Sequence, residues 1–280
     1  MATAHESVSP AVGNPTVPRT DVEPKRASFW QRHQSILLGI VGVALLLALW
    51  EIISLSHIVN PLFLPSPAAV ARALAGYVTS DTFGIDMRVS GEELLIGYVA
   101  AIAVALPLGV AMGWYRTILN LADPLVNFFN ATPRIALAPL TIVWFGVGLE
   151  SKFVLVFLSA IFPILINTTA GVRSVDQDFI RAAKSFGASD MQIFRTVALP
   201  AAVPYVLSGM RIGIGHGLIG VVVGELVAAQ HGIGLVIANA GQTFQTPLTF
   251  AAIIIVAFCG LVLTSILSYI EGKFDRWRIR

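Results

Sequence analysis

The chain is 280 residues long, 56% hydrophobic and only 12% charged, with a mean hydropathy of +0.79. A soluble domain is far more charged and far less apolar, so the composition predicts an all-α, polytopic membrane protein. A single cysteine, Cys259, excludes an intrachain disulfide and a redox centre built from a cysteine pair. The net charge of +2 is small, and no nucleic-acid partner is expected.

The N-terminal residues 1–35 mix four prolines with serine, threonine and charged residues. This composition buries too little apolar surface to fold, so we expect a disordered cytoplasmic tail. The first apolar run begins only at Ile36, too far from Met1 for a signal peptide.

Six apolar stretches are predicted to cross the bilayer, whose core requires about 20 helical residues. They are 36–55, 93–114, 133 to 145 or 148, 153–171, 205–228 and 248–270. The transmembrane domain is thus expected at 36–270, followed by a short charged cytoplasmic tail at 271–280.

The region before the third span contains a predicted break. A single helix over 118–148 would be about 45 Å long, more than the hydrocarbon core needs. The sequence Asn130-Ala131-Thr132-Pro133 indicates an N-cap followed by proline at the first helical position. We therefore expect a short interfacial helix and then the span. Residues 56–90 and 229–247 are expected to be outer segments.

The distribution of basic residues predicts the orientation. In this topology, 13 of the 18 lysines and arginines lie on the side of the N-terminus. Only Arg72, Arg88 and Lys152 lie on the other side, and Arg134 and Arg211 fall at membrane depth. Because basic residues accumulate in cytoplasmic loops, both termini and the segment 174–200 are predicted to be cytoplasmic.

This cytoplasmic segment, 174–200, is called the coupling loop below. Either Ser174 with Gln177, as a capping box, or Asp176 can begin a first short helix, and Gly187 can end it. Ser189 with Gln192 would begin a second helix that ends before Pro200. Its local pattern fits two uses, a protrusion that docks on another protein or an ordinary interfacial loop.

The coupling loop carries the motif of a known family. Its pattern, Ala182-Ala183, three residues, Gly187, nine residues, Val197, one residue, Leu199-Pro200, resembles the EAA loop of ATP-binding-cassette (ABC) importer permeases. The chain departs from that motif at Arg181, where glutamate is usual, and at Val197, where isoleucine is common. Segments 123–152 and 204–234 are similar to the nitrate, sulfonate, taurine and bicarbonate branch, and the resemblance covers roughly residues 60–270.

The resemblance implies the type I importer permease fold, a bacterial inner-membrane location and several partners. These are a second permease copy in a homodimer, two ABC ATPase subunits, an extracytoplasmic substrate-binding protein and the lipid bilayer. The residues it assigns to ATPase coupling are Phe179, Arg181, Ala182, Ala183, Phe186, Gly187, Leu199 and Pro200. The chain has no GxxxxGK[ST] loop, so ATP and Mg are expected on the partner ATPase, and this subunit is expected to be non-catalytic and free of cofactors.

The fifth predicted span carries a stripe of glycines at helical spacing. These residues are Gly209, Gly213, Gly217, Gly220 and Gly224. Small residues let helix backbones approach closely, so the stripe predicts a helix-packing face.

Four membrane residues are candidates for the substrate pathway. Arg211 and Glu225 lie about 21 Å apart on one helix, roughly opposite the glycine stripe, and each is also explained by a structural or interfacial role. Arg134, next to a helix start, would attract an anion or anchor the interface. Trp144 is a belt aromatic or a pore-lining residue. His216 is interpreted as a packed histidine, and no set of metal ligands appears.

The sequence therefore predicts an importer permease that moves a small anionic solute, such as nitrate, a sulfonate or taurine, by alternating access. A vitamin precursor or aromatic acid is an alternative solute. A stand-alone secondary transporter or channel is the alternative class. An enzyme would need a nucleophile and a base brought together, and no such set is found.

Overall fold

The computed structural model describes residues 29–56 and 58–274, and in these ranges it contains helices and no strand. Its α-helices are α1 Phe29–Leu55, α2 Pro67–Val78, α3 Phe83–Trp114, α4 Arg116–Ala131, α5 Ala138–Phe145, α6 Leu149–Arg173, α7 Gln177–Ser185, α8 Asp190–Ile193, α9 Leu199–Val227, α10 Ile233–Gln242 and α11 Thr246–Phe274. A 3-10 helix, Arg134–Leu137, precedes α5, and a π-helix, Phe194–Ala198, joins α8 to α9. The predicted all-α class is confirmed.

The chain divides into two compact units after Leu49. The first contains the N-terminal part of α1, and the second, from Trp50, contains the other helices. Residues 29–35 of the predicted tail are helical, and 271–274 belong to α11. The remaining predicted tails, 1–28 and 275–280, lie outside the described residues.

Within the described ranges, five helical stretches are long and apolar enough to cross a membrane. They are Leu37–Leu55, Phe83–Trp114, Leu149–Arg173, Asp190–Val227 and Thr246–Lys273. The predicted third span is instead a short apolar stretch, Arg134–Phe145. At 1.5 Å per residue it extends only about 18 Å, short of the roughly 30 Å of a bilayer core.

The break before this short stretch occurs where the sequence predicts it. Helix α4 ends at Ala131, and Thr132 and Pro133 are extended. The predicted N-cap with proline at the first helical position is wrong in detail. Pro133 itself holds the N-cap position of the 3-10 helix, and no side chain caps that helix.

Helix α3 begins at Phe83, ten residues before the predicted start of the second span at Glu93. Charged residues normally mark the end of a span, but here Asp86 and Glu93 are buried, at 4% and 0% exposed. The helix continues past both because each has partners on other helices, described below.

Helix α6 forms the centre of the core, between α3 and α9. Its side chains Leu155, Val156 and Ile164 are almost fully buried. The glycine stripe of α9 lies against it, and a Cβ atom added at Gly220 would lie 2.9 Å from the Cα of Val156. Because lipid gives no hydrophobic drive for helix association, this close van der Waals contact is a main source of stability.

A second buried cluster joins α2, α10 and α11, and it contains Tyr77 of α2, Ile233 of α10, and Ala252 and Ile255 of α11. Helix α2 is capped by the Ser66 hydroxyl, which accepts a hydrogen bond from the Ala69 amide. These contacts fix α2 and α10 on the ends of the long helices.

Candidate functional site

The coupling loop is built from two short helices with well-defined ends. Asp176 caps α7 by accepting a hydrogen bond from the Asp178 amide, whereas the Ser174 hydroxyl bonds back to the carbonyl of Gly171. Of the two predicted starts, Asp176 is therefore correct and the Ser174 capping box is wrong. The second predicted capping box, Ser189 with Gln192, is present at the start of α8.

Gly187 ends α7 in a left-handed conformation, with φ of +81°. The Ala188 amide bonds to the carbonyl of Ala183 at 3.1 Å, and the Gly187 amide bonds to that of Lys184 at 2.9 Å. This is the Schellman arrangement, in which glycine avoids the clash of a Cβ atom. The turn fixes the angle between α7 and α8.

The coupling loop presents apolar side chains to its surroundings. Phe186 is 93% exposed and Phe179 is 55% exposed, with the neighbouring Met191 at 53%. Ala182 is also exposed and Ala183 is partly buried. Exposed aromatic and methionine side chains around small residues suit contact with a partner protein.

Arg181, the departure from the family motif, has a partner within its own helix. Its guanidinium forms an ion pair with the carboxylate of Asp178, three residues earlier. Both side chains are 75% exposed, so the pair contributes little to folding stability.

The coupling loop is joined to the membrane domain without a break. The predicted end of the second helix before Pro200 is wrong, because α8, the π-helix and α9 form one helical stretch, Asp190–Val227. Proline lacks an amide donor and crowds the carbonyl four residues earlier. The π-helical turn before Pro200 is wider than an α-helical turn, because the Leu199 amide bonds to the carbonyl of Phe194, five residues earlier. This wider turn makes room for the proline ring.

Two contacts of this stretch anchor it against the domain. Ile193 is 1% exposed, and the Phe194 ring lies 5.1 Å from that of Trp114 at the end of α3. Leu199 is 41% exposed and Pro200 is half-buried at the start of α9. A displacement of the coupling loop would therefore act directly on α3 and α9.

Arg134 lines a cavity of about 310 Å³ between the α4–α5 connection, α6 and α9. Its Nη2 atom donates to the backbone and side-chain oxygens of Asn130, at 3.2 and 2.7 Å. Its carbon Cζ lies 5.5 Å from the centre of the Phe162 ring. The buried Nε atom has no hydrogen-bond partner among the described residues, and no carboxylate there pairs with this arginine.

The rest of this cavity is mostly apolar, with a few polar groups and no acid among its lining residues. Thr132, Ser159 and His216 line it beside Arg134, and apolar side chains complete it. His216 Nδ1 lies 3.0 Å from the carbonyl of Ile212. If Nδ1 donates to this carbonyl, Nε2 is left as an acceptor. His216 was interpreted from the sequence as a packed residue, and its place beside Arg134 follows only from the approach of α9 to the α4–α5 connection.

Trp144 does not line this cavity. It is 64% exposed near the end of α5 and contacts the Phe145 ring edge-on, with the ring centres 6.4 Å apart.

Arg211 joins the middle of α9 to the C-terminal end of α11, and it does not lie near the end of its helix, where the sequence predicts it. Its Nε atom lies 3.4 Å from the Glu271 carboxylate, and its Nη1 atom lies 3.3 Å from the Ser268 hydroxyl. These contacts occupy the guanidinium with protein groups.

Glu225 is buried, at 1% exposed, near the C-terminal end of α9. It accepts hydrogen bonds from the Ser90 hydroxyl and the Gly234 amide, both at 2.6 Å. Lys152 and Glu93 form a buried ion pair, 3.0 Å apart, and the Glu93 charge contributes to the electrostatic environment of Glu225.

Asp86 extends this buried polar cluster toward α2 and α10. It accepts hydrogen bonds from the Tyr77 hydroxyl and the Gly232 amide, both at 2.9 Å. Burial, and then the hydrogen bond to Asp86, raise the pKa of Tyr77 above its ordinary value, so its hydroxyl stays a donor at neutral pH.

The sequence reasoning missed this cluster of Tyr77, Asp86, Ser90, Glu93, Lys152, Gly232 and Gly234 around Glu225. The sequence contains one signal for this cluster. Acidic residues at the start of α3 lie at helical spacing beside an apolar run. The sequence pattern places Glu93 at the start of the second span and Asp86 in the outer segment 56–90.

The long apolar helices define a multi-pass membrane protein with an exposed helical protrusion. A model of the family "Binding-protein-dependent transport system inner membrane component" matches residues 97–277, and the chain belongs to this family. The predicted membership among ABC importer permeases is thus confirmed. The chain is a non-catalytic inner-membrane subunit, and ATP hydrolysis belongs to a partner ATPase.

Two relatives align over most of their length. The taurine transport system permease protein TauC of Escherichia coli K12 is 33% identical over 254 residues, which are 89% of this chain and 92% of TauC. The riboflavin transport system permease protein RibX of Chloroflexus aurantiacus is 36% identical over 265 residues, 94% of this chain and 98% of RibX.

A solved structure of the inward-facing MetNI methionine ABC transporter shares the fold. Its TM-score is 0.58 at 20% sequence identity, and it covers 72% of this chain and 100% of the matched chain.

Proposed function

We propose that two copies of this chain form the membrane path of an ABC importer for a small anionic solute such as a sulfonate, nitrate or taurine. A binding protein delivers the solute on the outer side. Two ATPase subunits, which bind ATP and Mg, accept the coupling loops on the cytoplasmic side. The path alternates between outward and inward access as the ATPases close and reset.

The observation that supports an anionic solute is the environment of Arg134. A guanidinium at membrane depth is costly unless it is paired, and no carboxylate among the described residues pairs with it. Asn130 fixes its orientation through Nη2, while Nε is left without a partner. Because a guanidinium presents several donors in one plane, it matches the oxygens of a sulfonate or nitrate.

The neighbouring groups suit the same ligand. The Ser159 hydroxyl can donate to a bound anion, whereas the Thr132 hydroxyl donates to the carbonyl of Phe128 at 3.0 Å, and no lining side chain repels an anion. Similarity to a taurine permease agrees with this solute class.

A riboflavin-type solute is the second candidate, because RibX is as similar to this chain as TauC is. For such a solute the apolar part of the cavity would contribute more than the charge of Arg134.

The experiment uses the complete transporter, reconstituted in liposomes with its ATPase and binding protein. Uptake of taurine, an alkylsulfonate, nitrate and riboflavin is measured for the wild type and for Arg134→Gln and Arg134→Lys. Loss of a charged hydrogen bond of about 1.5–3 kcal/mol predicts roughly 10- to 100-fold slower anion uptake for Arg134→Gln. Arg134→Lys should retain part of the activity because it keeps the charge.

Arg173→Gln, at the exposed end of α6, is the matched control and should leave uptake unchanged. Equal anion uptake by wild type and Arg134→Gln would contradict the anionic path, and selective riboflavin uptake would favour the second candidate. Uptake by the chain without the ATPase would indicate a stand-alone transporter.

A further inference from the structure

The turn between α10 and α11 contains an aromatic residue in an unfavourable backbone conformation. Phe244 has φ of +55° and is the only non-glycine residue with positive φ in the described part of the chain. The Gln245 amide bonds to the carbonyl of Ala240 at 2.8 Å, and the Phe244 amide bonds to that of Gly241 at 3.3 Å. Phe244 thus occupies the left-handed position of a Schellman turn, where glycine is usual.

A second turn with the same hydrogen-bonding pattern, at the end of α7, shows which residue type this backbone conformation favours. There the left-handed position is held by Gly187, with φ of +81°. A bulky L-residue in this conformation is disfavoured by the clash of its Cβ atom with the backbone. Phenylalanine at position 244 therefore points to a role for its ring.

Burial in the fold does not account for a phenylalanine at this position. The residue is 59% exposed, and its neighbours from 241 to 245 are all exposed. An exposed aromatic held on a rigid turn is typical of a residue that anchors a partner protein.

A cavity of about 590 Å³ with a mixed polar and apolar lining lies beside this turn, between α2, α10 and the start of α11. Its polar lining consists of hydroxyl and amide groups, and its remaining lining is apolar, with no charged side chain. The polar groups belong to Tyr77, Ser80, Thr82, Asn239, Thr243 and Gln245.

We propose that Phe244 and this cavity form the docking point for the extracytoplasmic substrate-binding protein. The inference rests on the proposed function, which supplies both the orientation and the partner. The family is itself described by its dependence on a binding protein. A central aromatic beside neutral hydrogen-bonding groups has the composition of a protein interface, and it fits a partner surface with a shallow apolar pocket and uncharged polar groups around it.

The test measures ATPase activity of the complete transporter in lipid nanodiscs as its substrate-loaded binding protein is titrated. Phe244→Gly removes the ring and relieves the backbone strain. We expect the half-maximal concentration of binding protein to rise about tenfold, with unchanged basal ATPase activity and an unchanged or higher melting temperature.

Phe244→Ala is the second variant. It removes the ring and leaves the strain, so it should show the same loss of docking without a gain in stability. Phe63→Ala is the matched control, because Phe63 is an exposed phenylalanine (63%) of the other outer segment. It should respond to the binding protein as the wild type does.

An unchanged half-maximal concentration in Phe244→Gly would overturn the proposal. A second result would also overturn it: both Phe244→Gly and Phe63→Ala have a lower melting temperature, and both keep the wild-type titration curve. Both rings would then be membrane anchors. A wild-type transporter that does not respond to the binding protein would instead contradict the proposed function itself.

Discussion

The carboxylate of Glu225 accepts a hydrogen bond of 2.6 Å from the backbone amide of Gly234, across the turn from α9 to α10. Its other oxygen accepts one from the Ser90 hydroxyl of α3, and that hydroxyl oxygen accepts a third from the Ile233 amide at 3.0 Å. One buried carboxylate therefore holds the start of α10 against two membrane helices. Only 1% of Glu225 is exposed, so water competes little for these hydrogen bonds.

This contact predicts that Gly234→Ala destabilises the packing of α10 against α9. A Cβ atom at Gly234 would lie 2.7 Å from Glu225 Cβ and 2.9 Å from the Val222 carbonyl oxygen. Backbone is one of the two obstacles, so the neighbours cannot simply rotate away. We expect a loss of about 1–3 kcal/mol, measured as a lower melting temperature in detergent.

Gly241→Ala is the control for this change, because the same helix has no atom within 4 Å of a Cβ added there. It should leave the melting temperature unchanged or slightly raise it, since alanine favours helix over glycine. Equal effects of the two substitutions would refute the close contact at Gly234.

We predict that substitutions of the buried pair Lys152 and Glu93 have strongly non-additive effects on the free energy of unfolding. The two side chains are 8% and 1% exposed, with 3.0 Å between Nζ and Oε1. Lys152→Met should destabilise the domain by about 3–5 kcal/mol, because it leaves Glu93 as an uncompensated buried charge. Glu93→Gln combined with Lys152→Met should recover most of that loss.

The double-mutant cycle is measured by thermal unfolding of the two single variants and the double variant. Additive losses would show that the two charges do not interact. Arg88→Gln with Glu92→Gln is a matched exposed pair, 79% and 49% exposed, and should show almost no coupling.

We predict that a bulky residue at position 187 lowers transport while ATP hydrolysis continues. No atom lies within 4 Å of a Cβ added there, so a substitution acts only through the backbone conformation. Gly187→Val should distort the turn between α7 and α8 and lower uptake at least about tenfold, with membrane insertion and basal ATP hydrolysis retained.

Gly187→Asn is the milder comparison, because asparagine tolerates the left-handed conformation better than valine does. It should keep most of the uptake. Unaltered transport in Gly187→Val would show that the coupling role is wrong.

We predict that a substitution of Arg181 alters the contact with the ATPase and has little effect on folding. Because its ion pair with Asp178 is exposed, Arg181→Glu should change the melting temperature very little. If the partner groove complements a positive charge, the same substitution should weaken the ATPase–permease complex several-fold, measured by co-purification or by stimulated ATP hydrolysis.

Arg181→Gln separates loss of the positive charge from gain of a negative one, and its effect should lie between those of wild type and Arg181→Glu. A stronger complex with Arg181→Glu would mean that the groove prefers the glutamate usual in this family.

The sequence alone determined those features that depend on neighbours along the chain. Apolar runs predicted the long membrane helices, and local capping patterns located Gly187 and Ser189 and gave Asp176 as one of two possible helix starts. The spacing through Leu199-Pro200 identified the family. Each of these signals acts through helix periodicity or a local backbone bond, so it can be recognised without the fold.

Tertiary structure decided everything that depends on which distant helices meet. The buried charges of Asp86, Glu93 and Lys152 looked like boundaries or outer groups, and only the packing of α3 against α6, α9 and α10 shows their partners. The short third apolar stretch and the continuous helix through Pro200 likewise differ from the local signals. A helix can continue through a buried charge when another element supplies a partner for it, and through a proline when the preceding turn widens. Neither condition can be recognised from the order of residues.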